Sequence, residues 1–299
     1  MARPVRRRWR WWALLAWLCG VQTAQALSDE DVFFVVANTE FTVLHEVGHV
    51  LLSEVDLPFL GGEEQASDQL AAVALLLSNS PGRDPRAPRK LLTAAQGWLI
   101  EWGLQEAGGR GFEYWDSHPL DLQRYYNLLC LLQGGTGDAA PAMDDQLPLP
   151  YQRAWRCDEE YGRALRSLQW IARTQGAAAP ARRLQQPRVG VVYELPRNAE
   201  LEPLYRLVRE SGVLEQAARV IETHFALSDR IDIVLANICG ETAYWRADLR
   251  EIVICYSLLE RFARLAQQRP CLKPRQGRFP QRPPVEAEIA ACIHARENE

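Results

Sequence analysis

Apolar residues recur at helical spacing through DVFFVVANTEFTVLHEVGHVLLSEV, so residues 31–55 read as a long helix, apolar nearly all round and therefore buried. LPFLGG ends it with Pro and Gly. EEQASDQLAAVALLLSNS starts a second helix at residue 63, which PGRDPRAPR breaks. A third helix covers 88–107 and stops at GGRG. A fourth spans SHPLDLQRYYNLLCLLQGG, with Pro119 suited to its first turn and Gly134 and Gly135 closing it. After a loop over 136–150, CDEEYGRALRSLQWIART gives a fifth. Residues 175–195, rich in Ala, Pro, Gln and Arg, read as a linker. The pattern then changes. Residues 199–224 are helical, RIDIVLANIC alternates as a strand, and ETAYW and REIVICY flank a polar turn as a hairpin. A short helix, a Pro- and Arg-rich stretch and a last helix near 285–296 complete the chain. The pattern predicts an α+β fold, mainly helical, with a small antiparallel hairpin, and a helical region over 27–174 joined by the linker to a helix–hairpin–helix region over 196–299.

The first 26 residues stand apart. RPVRRRWR is a positive segment, WWALLAWLCGV an apolar core too short to span a bilayer comfortably, and AQA a small-x-small cleavage site. This is the pattern of a secretory signal peptide. It predicts an exported, periplasmic or secreted protein of a bacterium that meets the membrane only through this segment; an uncleaved anchor in the envelope is the alternative. With 299 residues, 47% of them hydrophobic, the chain can build a substantial core, and a net charge of -4 argues against a nucleic-acid partner. Beyond the signal, Cys130, Cys157, Cys239, Cys255, Cys271 and Cys292 remain. In an exported chain an even set reads as disulfides, and pairing sequence neighbours gives 130–157, 239–255 and 271–292. No two are spaced as in CxxC, which argues against a zinc-finger site.

HEVGH (His45 to His49) supplies the chemistry. Four residues apart on a helix, His45 and His49 share a face and can reach one zinc ion, Zn2+, while Glu46 lies beside the metal, where it can activate a water. The bland alternative, a buried helix with two hydrogen-bonded histidines, requires partners for three polar side chains among valines and leucines. Gly48 would let another backbone come close. A catalytic zinc takes three protein ligands. Glu64 and Asp68 share a face of the second helix, which LPFLGG would fold back on the first. Glu64 is then the third ligand, with Glu63 as second choice, and Asp68 can accept the remaining ring N–H of a ligating histidine. A solvated acidic face is the ordinary reading of such a pair, but here it borders LAAVALLL.

These residues resemble a known pattern. HEVGHVLL with EQASDQLAAVALLL is similar to the gluzincin arrangement of zinc peptidases. More closely, His45, Glu46, Gly48, His49, Leu57, Pro58, Leu60, Gly61, Glu63, Glu64, Asp68, Gln69, Leu70 and Ala71 resemble the block shared by a bacterial family of uncharacterised metallopeptidases. HPLDLQRYYNLLCLLQG, the Arg156, Cys157, Glu160, Tyr161 stretch and CGETAYWRADLREIVICYSLL resemble the family's further segments. The last of these normally precedes the HExxH helix, so the chain looks circularly permuted, and it departs from the pattern at Thr242 and Ser257. The resemblance implies a zincin-like fold with a strand at the cleft edge.

Other residues weigh less. A zinc peptidase needs a donor for the oxyanion of its intermediate, and His118, Arg124 and Tyr125 are candidates; His118 capping its helix and Arg124 paired with a carboxylate are the ordinary readings. Tyr244 and Trp245, on the hairpin, would line a substrate edge or simply pack. No nucleophile elbow and no phosphate-binding glycine loop is present. The expectation is an exported zinc metallopeptidase cutting a peptide or protein substrate with Glu46 as the base. The rival is a non-catalytic, zinc-stabilised protein-binding module of the cell envelope.

Overall fold

The longest apolar run becomes the spine of the molecule. The computed structural model describes residues 27–54, 61–77, 84–109, 111–137, 149–175, 189–225, 227, 229–237, 239–240, 242–273 and 286–298. The signal segment, Leu57 to Leu60 and most of the stretch read as a linker lie outside them. Helix α1 (Asp29–Glu54) is buried from Phe34 to Leu52 on nearly every side, as its sequence requires. Around it pack α2 (Glu63–Leu77), α3 (Ala87–Ala107), α7 (Glu202–Ser211), α8 (Val213–His224) and α9 (Tyr256–Gln268). Helices α4 (Asp121–Thr136) and α6 (Cys157–Gln175) pack outside α2, with the short α5 (Tyr151–Ala154) leading into α6, and α10 (Glu286–Glu297) closes over α3.

The hairpin is present as β3 (Ala243–Arg246) and β4 (Glu251–Cys255), paired antiparallel with Trp245 opposite Ile252. It belongs to a larger, mixed sheet. The buried β2 (Ile231–Ala236) runs parallel to β4, and β1 (Val189–Tyr193) parallel to β2, giving the order β1-β2-β4-β3. Strand β1 lies inside the segment read as a linker. Five residues, VGVVY, are too short a signal against the surrounding Ala, Pro and Arg, and only pairing with β2 makes them a strand. Residues 199–224 are also not one helix: after a 3-10 turn at Ala199–Leu201, Gly212 takes φ 63° and separates α7 from α8.

Two glycines set helix contacts, Gly48 as the sequence suggested and Gly134 beyond it. Gly134 lies within α4, which ends at Gly137; a Cβ on Gly134 would sit 2.3 Å from the Cys157 carbonyl oxygen, so the residue lets α4 and α6 touch. Pro119 falls two residues ahead of the helix. Gly48 does the same for α1 and α2: a Cβ there would lie 2.8 Å from the Ser67 Cα. That close approach brings the two helix faces carrying HEVGH and EEQASD together.

Three disulfides join Cys130 to Cys157, Cys239 to Cys255 and Cys271 to Cys292, the pairing of sequence neighbours. They accord with folding in an oxidising, extracytoplasmic compartment. Among the described residues no helix is long and apolar enough to cross a membrane.

Two predictions follow from this packing. Gly48→Ala forces α1 and α2 apart and should lower stability by roughly 1–3 kcal/mol in urea unfolding; an unchanged midpoint would mean that the contact relaxes freely. Thiol titration of the exported protein in denaturant should find no free thiol, and two or more per chain would contradict full pairing.

Candidate metal site

Glu46 and the two histidines project from the middle of α1, and Glu63, Glu64 and Asp68 from the first turns of α2 facing it. Each histidine is oriented by a carboxylate. His45 Nδ1–H donates to Asp68 Oδ1 at 2.8 Å, and His49 Nδ1–H donates to Glu63 Oε1 at 2.8 Å. This turns both Nε2 atoms inward. They stand 3.1 Å apart, and Glu64 Oε2 lies 3.1 Å from the first and 3.5 Å from the second. Two ring nitrogens and a carboxylate oxygen thus converge on one point. Three ligands at 2.0–2.1 Å from a tetrahedral ion would stand about 3.3–3.4 Å from each other, so the donor set fits a metal ion with little movement. Among the described residues, His45, His49 and Glu64 form the one such cluster of metal-ligand type.

The electrostatics point the same way. Burial works against charge on His45 and His49, but the hydrogen bonds to Asp68 and Glu64, and to Glu64 and Glu63, outweigh it; both pKa values rise, that of His49 to about 9. Glu64, despite burial, is held far below the ordinary carboxylate range by bonds from His118, His45 and His49. The site is therefore built to hold positive charge between these atoms, as protons or as a metal ion.

Glu46 is buried next to this cluster. Burial lifts its pKa, against the pull of His45 and His49, and its carboxylate accepts a hydrogen bond from the Trp245 backbone N–H of β3. Strand β3 is an edge strand, and along it alternate residues face β4. Thr242 C=O accepts from Cys255 N–H, so Ala243 and Trp245 direct their backbone groups away from β4 and toward α1. The Trp245 indole N–H donates to Ser53 Oγ, and Arg250, with φ 56° in the hairpin turn, is paired with Glu54. The hairpin is thereby fixed to the last turn of α1. A cavity of about 300 Å³ opens beside His45 and Glu46, bounded by Thr242 and Ala243 of the hairpin, His118 and Arg124. The side chains of Tyr244 and Trp245, expected at a substrate edge, do not line it; the strand's backbone is what reaches Glu46.

The remaining candidates separate clearly. Arg124 is spent: its Nε and Nη2 donate to the two oxygens of Asp68, at 2.8 and 2.6 Å, and its guanidinium lies 3.5 Å from the Trp98 ring centroid. It is the carboxylate-paired arginine of the ordinary reading. Tyr125 is 4% exposed, packs against Tyr126 and lines no part of the cavity, because the helical phase that turns Arg124 inward sends Tyr125 into the core. His118 does not cap α4. Its Nδ1–H donates to Asp116 Oδ1 at 2.9 Å, and its Nε2 lies 3.0 Å from Glu64 Oε2; the bond to Glu64, more than the opposing burial, raises its pKa to about 9. Sequence reasoning missed Asp116 and the Glu63 bond to His49. Asp116 two residues before a histidine is too common a pairing to read alone, and Glu63 is distinguishable from Glu64 only once the helix rotation is known.

Residues 20–171 and 193–276 match the family described as "Putative metallopeptidase" (DUF4344). No curated protein and no solved structure matches the chain. A metallopeptidase implies a bound metal, and the His45, His49 and Glu64 cluster lies within the matched residues. With most of its length matched, the chain belongs to this metallopeptidase family.

Proposed function

We propose that the protein is an exported zinc-dependent peptidase with Glu46 as its general base. The observation that carries the reading is the convergence of His45 Nε2, His49 Nε2 and Glu64 Oε2, with a buried carboxylate one residue along the same helix. Two nitrogen donors and one carboxylate oxygen suit zinc and leave a fourth position open. When bound, zinc supplies Lewis acidity and lowers the pKa of a coordinated water towards about 7.

The chain's own groups supply the rest. Asp68 and Glu63 hold the ring tautomers that turn both Nε2 atoms to the metal. Glu46, with its pKa lifted by burial, takes the proton of the attacking water and returns it to the leaving amine. His118 lies on the cavity wall, with its Nδ1–H held by Asp116 and its Nε2 3.0 Å from Glu64 Oε2, which supports it as the donor to the carbonyl oxygen as charge develops there. The outward backbone groups of Ala243 and the Trp245 carbonyl, the Trp245 N–H being held by Glu46, support binding of an extended peptide as an added strand.

Three measurements test this. The purified protein should contain about one zinc per chain; full retention of metal by His45→Ala and Glu64→Ala proteins after dialysis would overturn the ligand set. Asp68→Asn should weaken zinc binding about 10–100-fold in competition with a chelator, and an unchanged affinity would remove Asp68 from its orienting role. Glu46→Gln should keep the metal and lose about 10²–10⁴ in turnover on any peptide the wild type cuts. Undiminished hydrolysis would sink the mechanism, while identical partner binding by both proteins with no cleavage by either would favour the binding module.

A further inference from the structure

The cavity beside Glu46 carries a charge pattern that peptide hydrolysis does not require. Four carboxylates line it, Glu46, Glu101, Asp116 and Asp121, together with two guanidiniums, Arg124 and Arg261, and the imidazoles of His45 and His118. Both guanidiniums are engaged. Arg124 is bound to Asp68, and Arg261 Nε and Nη2 donate to the two Glu101 oxygens at 2.5 and 2.7 Å. Asp116 is taken by His118. Asp121, at the first position of α4, is the exception: its carboxylate makes no hydrogen bond and no ion pair among the described residues. Burial and the neighbouring charge of Glu101 raise its pKa to about 6, against the pull of Arg124, Arg261 and His118.

We propose that this cavity is a specificity pocket for an arginine or lysine side chain of a bound peptide, recognised by Asp121. The walls suit the stem of such a side chain. Phe41, Trp98, Leu258, Phe262 and Leu265 are apolar and would cover the methylenes while the charged head reaches Asp121. The entrance suits it too, because Thr242 and Ala243 of the edge strand stand at the same cavity as His45 and Glu46. The cavity also borders an acidic groove. Glu101, Asp121 and Arg261 also line a neighbouring groove of about 740 Å³, to which Glu113 and Glu297 add negative charge. A wholly apolar side chain would cover Asp121 without supplying a donor, which is costly for a half-buried carboxylate, and an acidic one would be repelled. The inference rests on the peptidase reading for the identity of the ligand as a peptide; the charge of the pocket does not depend on it.

The test separates the two. Peptides of the form acetyl-Ala-Ala-Xaa-Ala-Ala-amide, with Xaa arginine, lysine, norleucine or glutamate, are titrated into zinc-loaded Glu46→Gln protein, with and without Asp121→Asn. The arginine and lysine peptides should bind about 10–100-fold tighter than the norleucine peptide, the worth of a charged hydrogen bond, and Asp121→Asn should abolish most of that ratio. Circular dichroism checks folding, and Asp121→Ser repeats the measurement if the asparagine variant is unstable. Equal affinities, no binding of any peptide, or a ratio that survives both substitutions overturns the proposal. The same peptides are offered to the wild type. Cleavage without preference for a basic residue overturns the pocket and leaves the peptidase; Asp121-dependent binding with no cleavage supports the pocket and counts against the peptidase.

Discussion

The carboxylate of Asp68 ties the helical layer together. One oxygen accepts from both His45 and Arg124, the other from Arg124 alone, so α1, α2 and α4 meet at a single buried anion. The Arg124 guanidinium lies on Trp98 and brings in α3. Burial by itself would push the Asp68 proton on, yet the charge of Arg124 and the bonds from His45 and Arg124 hold its pKa below the ordinary value. A buried charge is tolerated only when it is paired and fully hydrogen-bonded. The geometry of His45 is therefore not adjustable on its own; it is set by where three other helices lie.

The same device recurs one turn and a half earlier on α1. Lys90 of α3 is buried between Glu40 and Asp84, at 2.5 and 2.7 Å. Together these clusters fix both the rotation and the height of α1 relative to α3. At its other end α1 is fixed by the hairpin through Glu54, Ser53 and the backbone bond to Glu46. The metal-ligand face of α1 is thus clamped along its length, which is what a preorganised site needs.

A rigid α1 also explains why the cavity forms where it does. The hairpin is carried by a sheet whose β2 and β4 are buried, so the edge strand cannot drop onto the helix and fill the gap. Gly97 on α3 adds to the effect: a Cβ there would meet the Asn38 side chain at 2.4 Å, so the glycine admits Asn38 rather than closing the wall.

Much of this was legible in the chain. The periodicity of residues 31–55 identified a buried helix, the histidines of HEVGH marked one of its faces, and four-residue spacing put Glu64 and Asp68 on one face of the next helix, because a helix's own geometry decides which of its residues are neighbours. The disulfide pairs followed from chain proximity, and the hairpin from alternation around a polar turn. What the chain could not reveal depends on how elements lie against each other. VGVVY becomes a strand only beside β2. Gly134 permits a helix contact and does not end a helix. Tyr125 and Arg124, adjacent in sequence, face the core and the site because α4 is rotated so that Arg124 meets Asp68. Glu63 is told from Glu64 by the same kind of rotation, and Asp121 lines a cavity whose other walls come from α1, α3, α9 and the hairpin. Local spacing determines the face of an element; only packing decides what that face meets.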